Sequence, residues 1–358
     1  MRKVLLIFLL LALVVPARAV EVPEELKRAL PHEAQVLLEQ EGYADTSSLT
    51  EGIGSILSKL AGQAGDILRD RTRGAAAILL VVVLCGAVEG FYRGTGSGKV
   101  LPFLPMVGAL SITAAAAGSL DQLIGLGSST IDNLATFSKA LLPTLAAAAA
   151  AGGAVTSASV HQVTTVWFSD LLLHLIDGLL LPMVYLYIGA LTASACLPEN
   201  RLGAIAETLK KVIVWTLSTA LLVFTLYLSI VRVISGSADA AAVKMTKAAI
   251  SGAVPVVGGI IAEVSETVLA GAGLLKNTVG IFGTLGILAA CALPFLQLGI
   301  QYLLYKLTAF LAAAVGPPGL CKLIDGLGGA FGLVLGMTGS CALLLLISVL
   351  SSVAAVVP

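Results

Sequence analysis

Three ionisable side chains interrupt a long apolar run: Asp170, His174 and Asp177. At intervals of four and three residues they fall on one face of a helix. Their surroundings are Val166-Trp167-Phe168, Leu171-Leu172-Leu173 and Leu179-Leu180-Leu181. A carboxylate or imidazole placed in hydrocarbon is costly, and such groups turn toward a partner or a water-filled cavity. The stripe therefore reads either as the lining of a pore or proton path, or as an interhelical hydrogen-bond cluster or a band near the membrane surface. Both readings stand at the level of sequence.

A second candidate lies at residues 236–283, where Lys244, Lys247, Glu263, Glu266 and Lys276 punctuate weakly apolar sequence around Pro255-Val256-Val257-Gly258-Gly259. Glu263 and Glu266 share a helix face, with Lys276 further along. The pattern (Pro255, Gly258, Gly259, Glu263, Glu266, Lys276) fits a re-entrant or broken helix, which a membrane tolerates where it lines a cavity. It fits an interfacial amphipathic helix pair equally. A third feature is Gly328, Gly332, Gly336 and Ser340, four residues apart, a small-residue stripe that lets two helix backbones approach. Its partner is a helix of the same chain or of another copy.

Catalytic motifs are missing from the sequence. Gly94-Thr95-Gly96-Ser97-Gly98-Lys99 resembles a phosphate loop in composition, but Arg93 and Val100 stand where that motif needs Gly and Ser or Thr. Neither H-E-x-x-H nor G-x-S-x-G occurs. Cys85, Cys196, Cys291, Cys321 and Cys341 are scattered without a C-x-x-C pair, so they read as small buried apolar residues. The expectation is a protein that is not an enzyme, with no cofactor and no metal.

The elements that must position these residues follow from composition. Of 358 residues, 58% are hydrophobic and 12% charged, and the mean hydropathy is +1.00. Soluble domains carry about 25% charge, so much of this surface faces lipid. Lysine plus arginine balances aspartate plus glutamate at 21 each, which gives no basic excess for a nucleic-acid partner. Arg2-Lys3, the apolar run Val4–Val15, Pro16 and Ala17-Arg18-Ala19 read as a cleavable export signal at 1–19, since the run is short of the roughly 20 residues a span requires. Residues 20–73 read as an extracytoplasmic amphipathic helical region, with a capping box at Ser48 and Glu51. Residues 74–358 read as the multi-span membrane domain. The expected fold is all-α and polytopic, with about seven or eight transmembrane or re-entrant helices. Within it, residues 163–195 would form a helix of about 50 Å, longer than a hydrocarbon core of about 30 Å, and Pro182 is its natural break.

Ala248 to Gly259, Glu263-Val264-Ser265-Glu266-Thr267-Val268 and Leu274 to Gly280 closely resemble the stage III sporulation protein AE family. Ile131-Asp132-Asn133-Leu134, Leu141-Leu142-Pro143 and the stretch from Gly152-Gly153 to His161 are similar too. The resemblance implies a membrane subunit of a channel or secretion-like complex that links mother cell and forespore and sustains late forespore gene expression. It implies other membrane subunits as partners, a separate subunit supplying ATPase activity, and the mother-cell membrane around the forespore as the location. A homo-oligomer is compatible with it. A self-sufficient secondary transporter and a purely structural membrane anchor are the alternative readings of the residues themselves.

Overall fold

The structure is a computed structural model that describes residues 22–39, 49–94, 103–197, 202–253 and 258–354. The export signal, Ser48 and Pro255 lie outside the described residues. Two short helices come first, α1 (Glu24–Arg28) and α2 (His32–Glu39). Long ones follow: α3 (Leu49–Gly94), α4 (Leu104–Ala151), α5 (Val155–Leu175), α6 (Leu181–Cys196), α7 (Leu202–Ala253), α8 (Gly258–Ala312) and α9 (Pro318–Ala354). Among the described residues there is no strand. Six helical stretches are long and apolar enough to cross a membrane, α5 and α6 counting as one. The fold is all-α and polytopic, as hydrocarbon demands of a backbone that must satisfy its own hydrogen bonds.

Six long helices hold what the sequence divides into more segments. Residues 121–139, with Asp121, Asp132, Asn133 and Lys139, run unbroken inside α4, and Pro294 sits within one continuous α8. Both helices are packed on several neighbours, and in that setting a proline interrupts the ladder without ending it. The border expected at residue 73 likewise falls inside α3. At the expected break near Pro182 the chain forms a π-helical turn, Ile176–Leu180, and continues as α6 with Pro182 in its first turn. Proline has no N–H and its ring crowds the carbonyl four residues back. A widened turn just ahead of it absorbs the mismatch.

Consecutive long helices run antiparallel, with α5 and α6 counting as one. Gly153, with φ of 91°, makes the reversal from α4 to α5 in a backbone conformation that side chains disfavour. The first turn of α5 has no side-chain cap of its own. Asp239, buried on α7, supplies one: its carboxylate accepts the backbone N–H groups of Thr156 at 2.9 Å and Ser157 at 2.8 Å. Burial alone would raise this carboxyl, but the hydrogen bonds from Ser157 and Thr156 outweigh it and hold it below the ordinary aspartate value.

The main core is one large apolar cluster with α9 at its centre, where Leu327, Phe331, Val334 and Met337 are fully enclosed, and a small alanine cluster of Ala149, Ala154 and Ala158 sits at the α4–α5 reversal. The small-residue stripe is used within the chain. A Cβ on Gly328 would stand 3.0 Å from Tyr305 Cβ, and one on Gly332 would stand 3.3 Å from the Tyr302 ring, so both glycines seat tyrosines of α8. Gly336 faces open space, and the buried Ser340 hydroxyl donates to the Gly336 carbonyl of its own helix at 2.8 Å. The five cysteines are free thiols; Cys85, Cys291 and Cys341 are buried and the other two partly so.

Two consequences are measurable in detergent. Gly328→Val should overpack the α8–α9 contact and lower stability by about 1–3 kcal/mol, whereas Gly336→Val should leave the unfolding midpoint nearly unchanged. Asp239→Ala should cost about 1–3 kcal/mol by orphaning the buried Ser157 amide and the partly buried Thr156 amide. The Asp239 contribution has a definite pH sign. The folded carboxyl titrates below its unfolded value of about 3.9, so the stabilisation is complete above that value and is lost as pH falls through the folded one. The wild-type advantage over Asp239→Ala should therefore vanish in acid.

Candidate functional site

The helix ends that point one way are those of Leu104, Cys196, Leu202, Ala312 and Pro318. Gly108 abuts Leu320, Gly203 abuts Ser194, and Cys196 reaches the Met106 carbonyl. Lys99 and Arg201 belong in sequence to connections that lie outside the described residues.

Against this frame, α4 is unlike its neighbours. Its exposed large apolar side chains are Phe103, just ahead of its first turn, Met106, Val107 and Leu110. From Ala114 to Ala147 every exposed position is small or polar, and Asp121, Gln122, Gly125, Ser129, Asp132, Asn133, Thr136 and Lys139 form its middle. On the other side of the bundle α7 exposes Trp215, Leu222, Val223, Leu226, Tyr227, Ile230 and Val233. A lipid-facing helix looks like α7. The exposed face of α4 is built for water or for another protein.

The antiparallel α5–α6 segment borders that face. Thr113 and Thr192 hydroxyls meet at 3.0 Å, Tyr185 lies near Asp121, and Asp177 has Ser128 and Asp132 of α4 as polar neighbours. Asp170, His174 and Asp177 are all exposed. His174 Nδ1 lies 2.8 Å from the Asp170 carbonyl oxygen. A carbonyl can only accept, so Nδ1 carries a proton and Nε2 is left to face outward. The stripe thus continues onto α4 as a seam of carboxylates, hydroxyls and one imidazole with Lys139 at its far end. Asp177 sits in the π-helical turn itself, whose extra residue resets the helix phase and turns it toward α4.

The second candidate is helical on both sides of residues 254–257 and continuous with α7 and α8. Gly258 and Gly259 open α8. Pro255 and the side chains of Glu263 and Glu266 lie outside the described residues, while Lys276 is buried. Sequence reasoning passed over the α4 face, although its signal was there. Asp121, Gly125, Ser129, Asp132, Thr136 and Lys139 recur at helical spacing.

Chemically the seam can hydrate, order protons and hold cations or a polar partner at membrane depth. If it is wet, single cysteines at Ser129 and Asn133, in a chain whose five native cysteines are replaced by alanine, should react with a membrane-impermeant maleimide in native membranes. Cysteine at Leu226 should stay unlabelled until the membrane is dissolved.

The family model described as Stage III sporulation protein AE matches residues 45–356. A protein of Bacillus subtilis (strain 168) with the name Stage III sporulation protein AE is 25% identical over 244 residues. That match covers 67% of this chain and 60% of the relative, so the chain spans less than two thirds of the relative's length. No solved structure matches.

Proposed function

The chain belongs to the stage III sporulation protein AE family, and from that membership we propose that it is a membrane subunit of a channel or secretion-like complex between mother cell and forespore. A sporulation role follows from the family, and six apolar helices fit a membrane protein. The finer reading rests on one observation: the α4 face from Ala114 to Ala147 exposes no large apolar side chain. Lipid is a poor neighbour for such a face. A protein partner or an aqueous passage shared with one is a good neighbour, and either makes this chain part of an assembly. In this reading it resides in the mother-cell membrane around the forespore, and other subunits complete the passage. In the same reading, as the family resemblance implies, energy comes from a separate ATPase subunit, and the lack of a phosphate loop in this sequence agrees with that.

Affinity purification of the tagged full-length chain from sporulating cells, with identification of co-purifying membrane proteins, tests the reading. Other sporulation membrane proteins should be recovered in stoichiometric amounts. Replacing Asp132 and Asn133 with leucine should abolish that recovery and spore formation while the chain still accumulates in membranes. Recovery of the chain alone in several mild detergents would argue against an assembly. Solute movement by the purified chain alone in vesicles, abolished by Asp170→Asn, would favour a self-sufficient transporter.

A further inference from the structure

We propose that the cavity at the basic end of the bundle, where α4, α7 and α9 begin, is a binding site for the phosphate headgroup of an anionic phospholipid. The cavity measures about 900 Å³. It lies away from the α4 seam and does not depend on the function proposed above.

Positive potential converges on it from two sources. The first is side chains. Lys210 of α7, Lys306 of α8 and Lys322 of α9 line the cavity, against the carboxylates Glu207 and Asp325. Lys306 is paired with Asp325 at 2.6 Å. That leaves Lys210 and Lys322, with Glu207 as the one remaining carboxylate, to set the local field. The second source is backbone. Pro105, Gly203 and Gly319 also line the cavity, and each belongs to the first turn of a long helix: α4, α7 and α9 respectively. Three helix N-termini thus turn their positive dipole ends to one space, although Pro105 and Pro318 carry no N–H and the Leu320 and Cys321 amides already bond the Pro317 carbonyl.

The floor of the cavity is built and rigid. Tyr187 is 1% exposed and donates its hydroxyl proton to the Gly326 carbonyl at 2.9 Å. Tyr187 Oη and Lys210 Nζ stand 2.9 and 3.8 Å from where a Cβ on Gly329 would lie. A side chain at 329 would therefore displace the tyrosine hydroxyl while only touching the ammonium, and glycine keeps the tyrosine in place.

The rim decides between a lipid and a soluble anion. Phe310 lines the cavity yet is 75% exposed, and Phe103, Leu197 and Val315 are exposed at the same end. A cationic pocket with an apolar lip suits a headgroup whose acyl chains lie along the bundle. Basic pockets between membrane helices on the cytoplasmic side take anionic headgroups in this way. The volume is also generous for inorganic phosphate and fits a headgroup.

The test is native mass spectrometry of the purified full-length chain in mild detergent. It is titrated separately with phosphatidylglycerol, phosphatidylcholine and inorganic phosphate. Phosphatidylglycerol should give one saturable adduct, phosphatidylcholine none, and phosphate at equal concentration should not displace it. Lys210→Gln with Lys322→Gln should weaken that adduct by about tenfold or more, the order expected from two juxtamembrane lysines. The unfolding midpoint without lipid should be unchanged, and Lys244→Gln, near the other end, should bind like wild type. Should the double variant not fold, the exposed Lys322→Gln alone should weaken the adduct by a few-fold. Equal binding of phosphatidylcholine, or undiminished binding by a folded lysine variant, overturns the proposal. Full displacement by phosphate overturns the lipid assignment.

Discussion

Hydrocarbon cannot solvate a carboxylate, and that constraint organises the molecule more than any single contact. It forces every described segment of length into helix and sorts each helix into faces by the company its side chains can keep. On α7 the sorting is toward lipid, with Trp215, Leu222 and Ile230 turned outward. On α4 it runs the other way, and Asp121, Asp132 and Lys139 are the outward residues. The apolar cluster around α9 can be so complete because its helices send their polar positions to one side. The bundle needs an asymmetric environment, and membership in a sporulation family supplies a setting in which one exists.

Asp170, His174 and Asp177 were legible as a stripe because a four-and-three spacing survives any tertiary arrangement. What the stripe faces was not legible. The turn that aims Asp177 at Ser128 and Asp132 is a π-helical one, and it follows from the clash of Pro182 with its preceding turn inside a packed bundle. The polar segment 121–139 reads as an interruption when hydropathy is averaged along the chain. It becomes a face only when helix phase is combined with knowledge of what covers the opposite side, and that is a property of α8 and α9. The Gly328 and Gly332 stripe was legible as a packing device, but its partner was settled by Tyr302 and Tyr305, far away in sequence.

The basic end shows the same division between local and tertiary information. Lys210, Lys306 and Lys322 are ordinary flanking lysines when read one helix at a time. Antiparallel order brings them to one cavity with the starts of three helices. Asp239 at the opposite end is the reciprocal case, an acidic side chain lent by one helix to the uncapped start of another. Helix termini, more than helix middles, are where this fold places its electrostatics.

The reach of α4 has a mechanical consequence. Its 48 residues trace about 70 Å of helix, and a bilayer core of about 30 Å envelops less than half of that path wherever it sits. The remainder is a stiff stalk continuous with the embedded part, without a hinge loop between them. Force or displacement applied at the stalk is transmitted along one rod into the membrane layer. A neighbour that grips the protruding part thus gains leverage on the exposed seam without touching it.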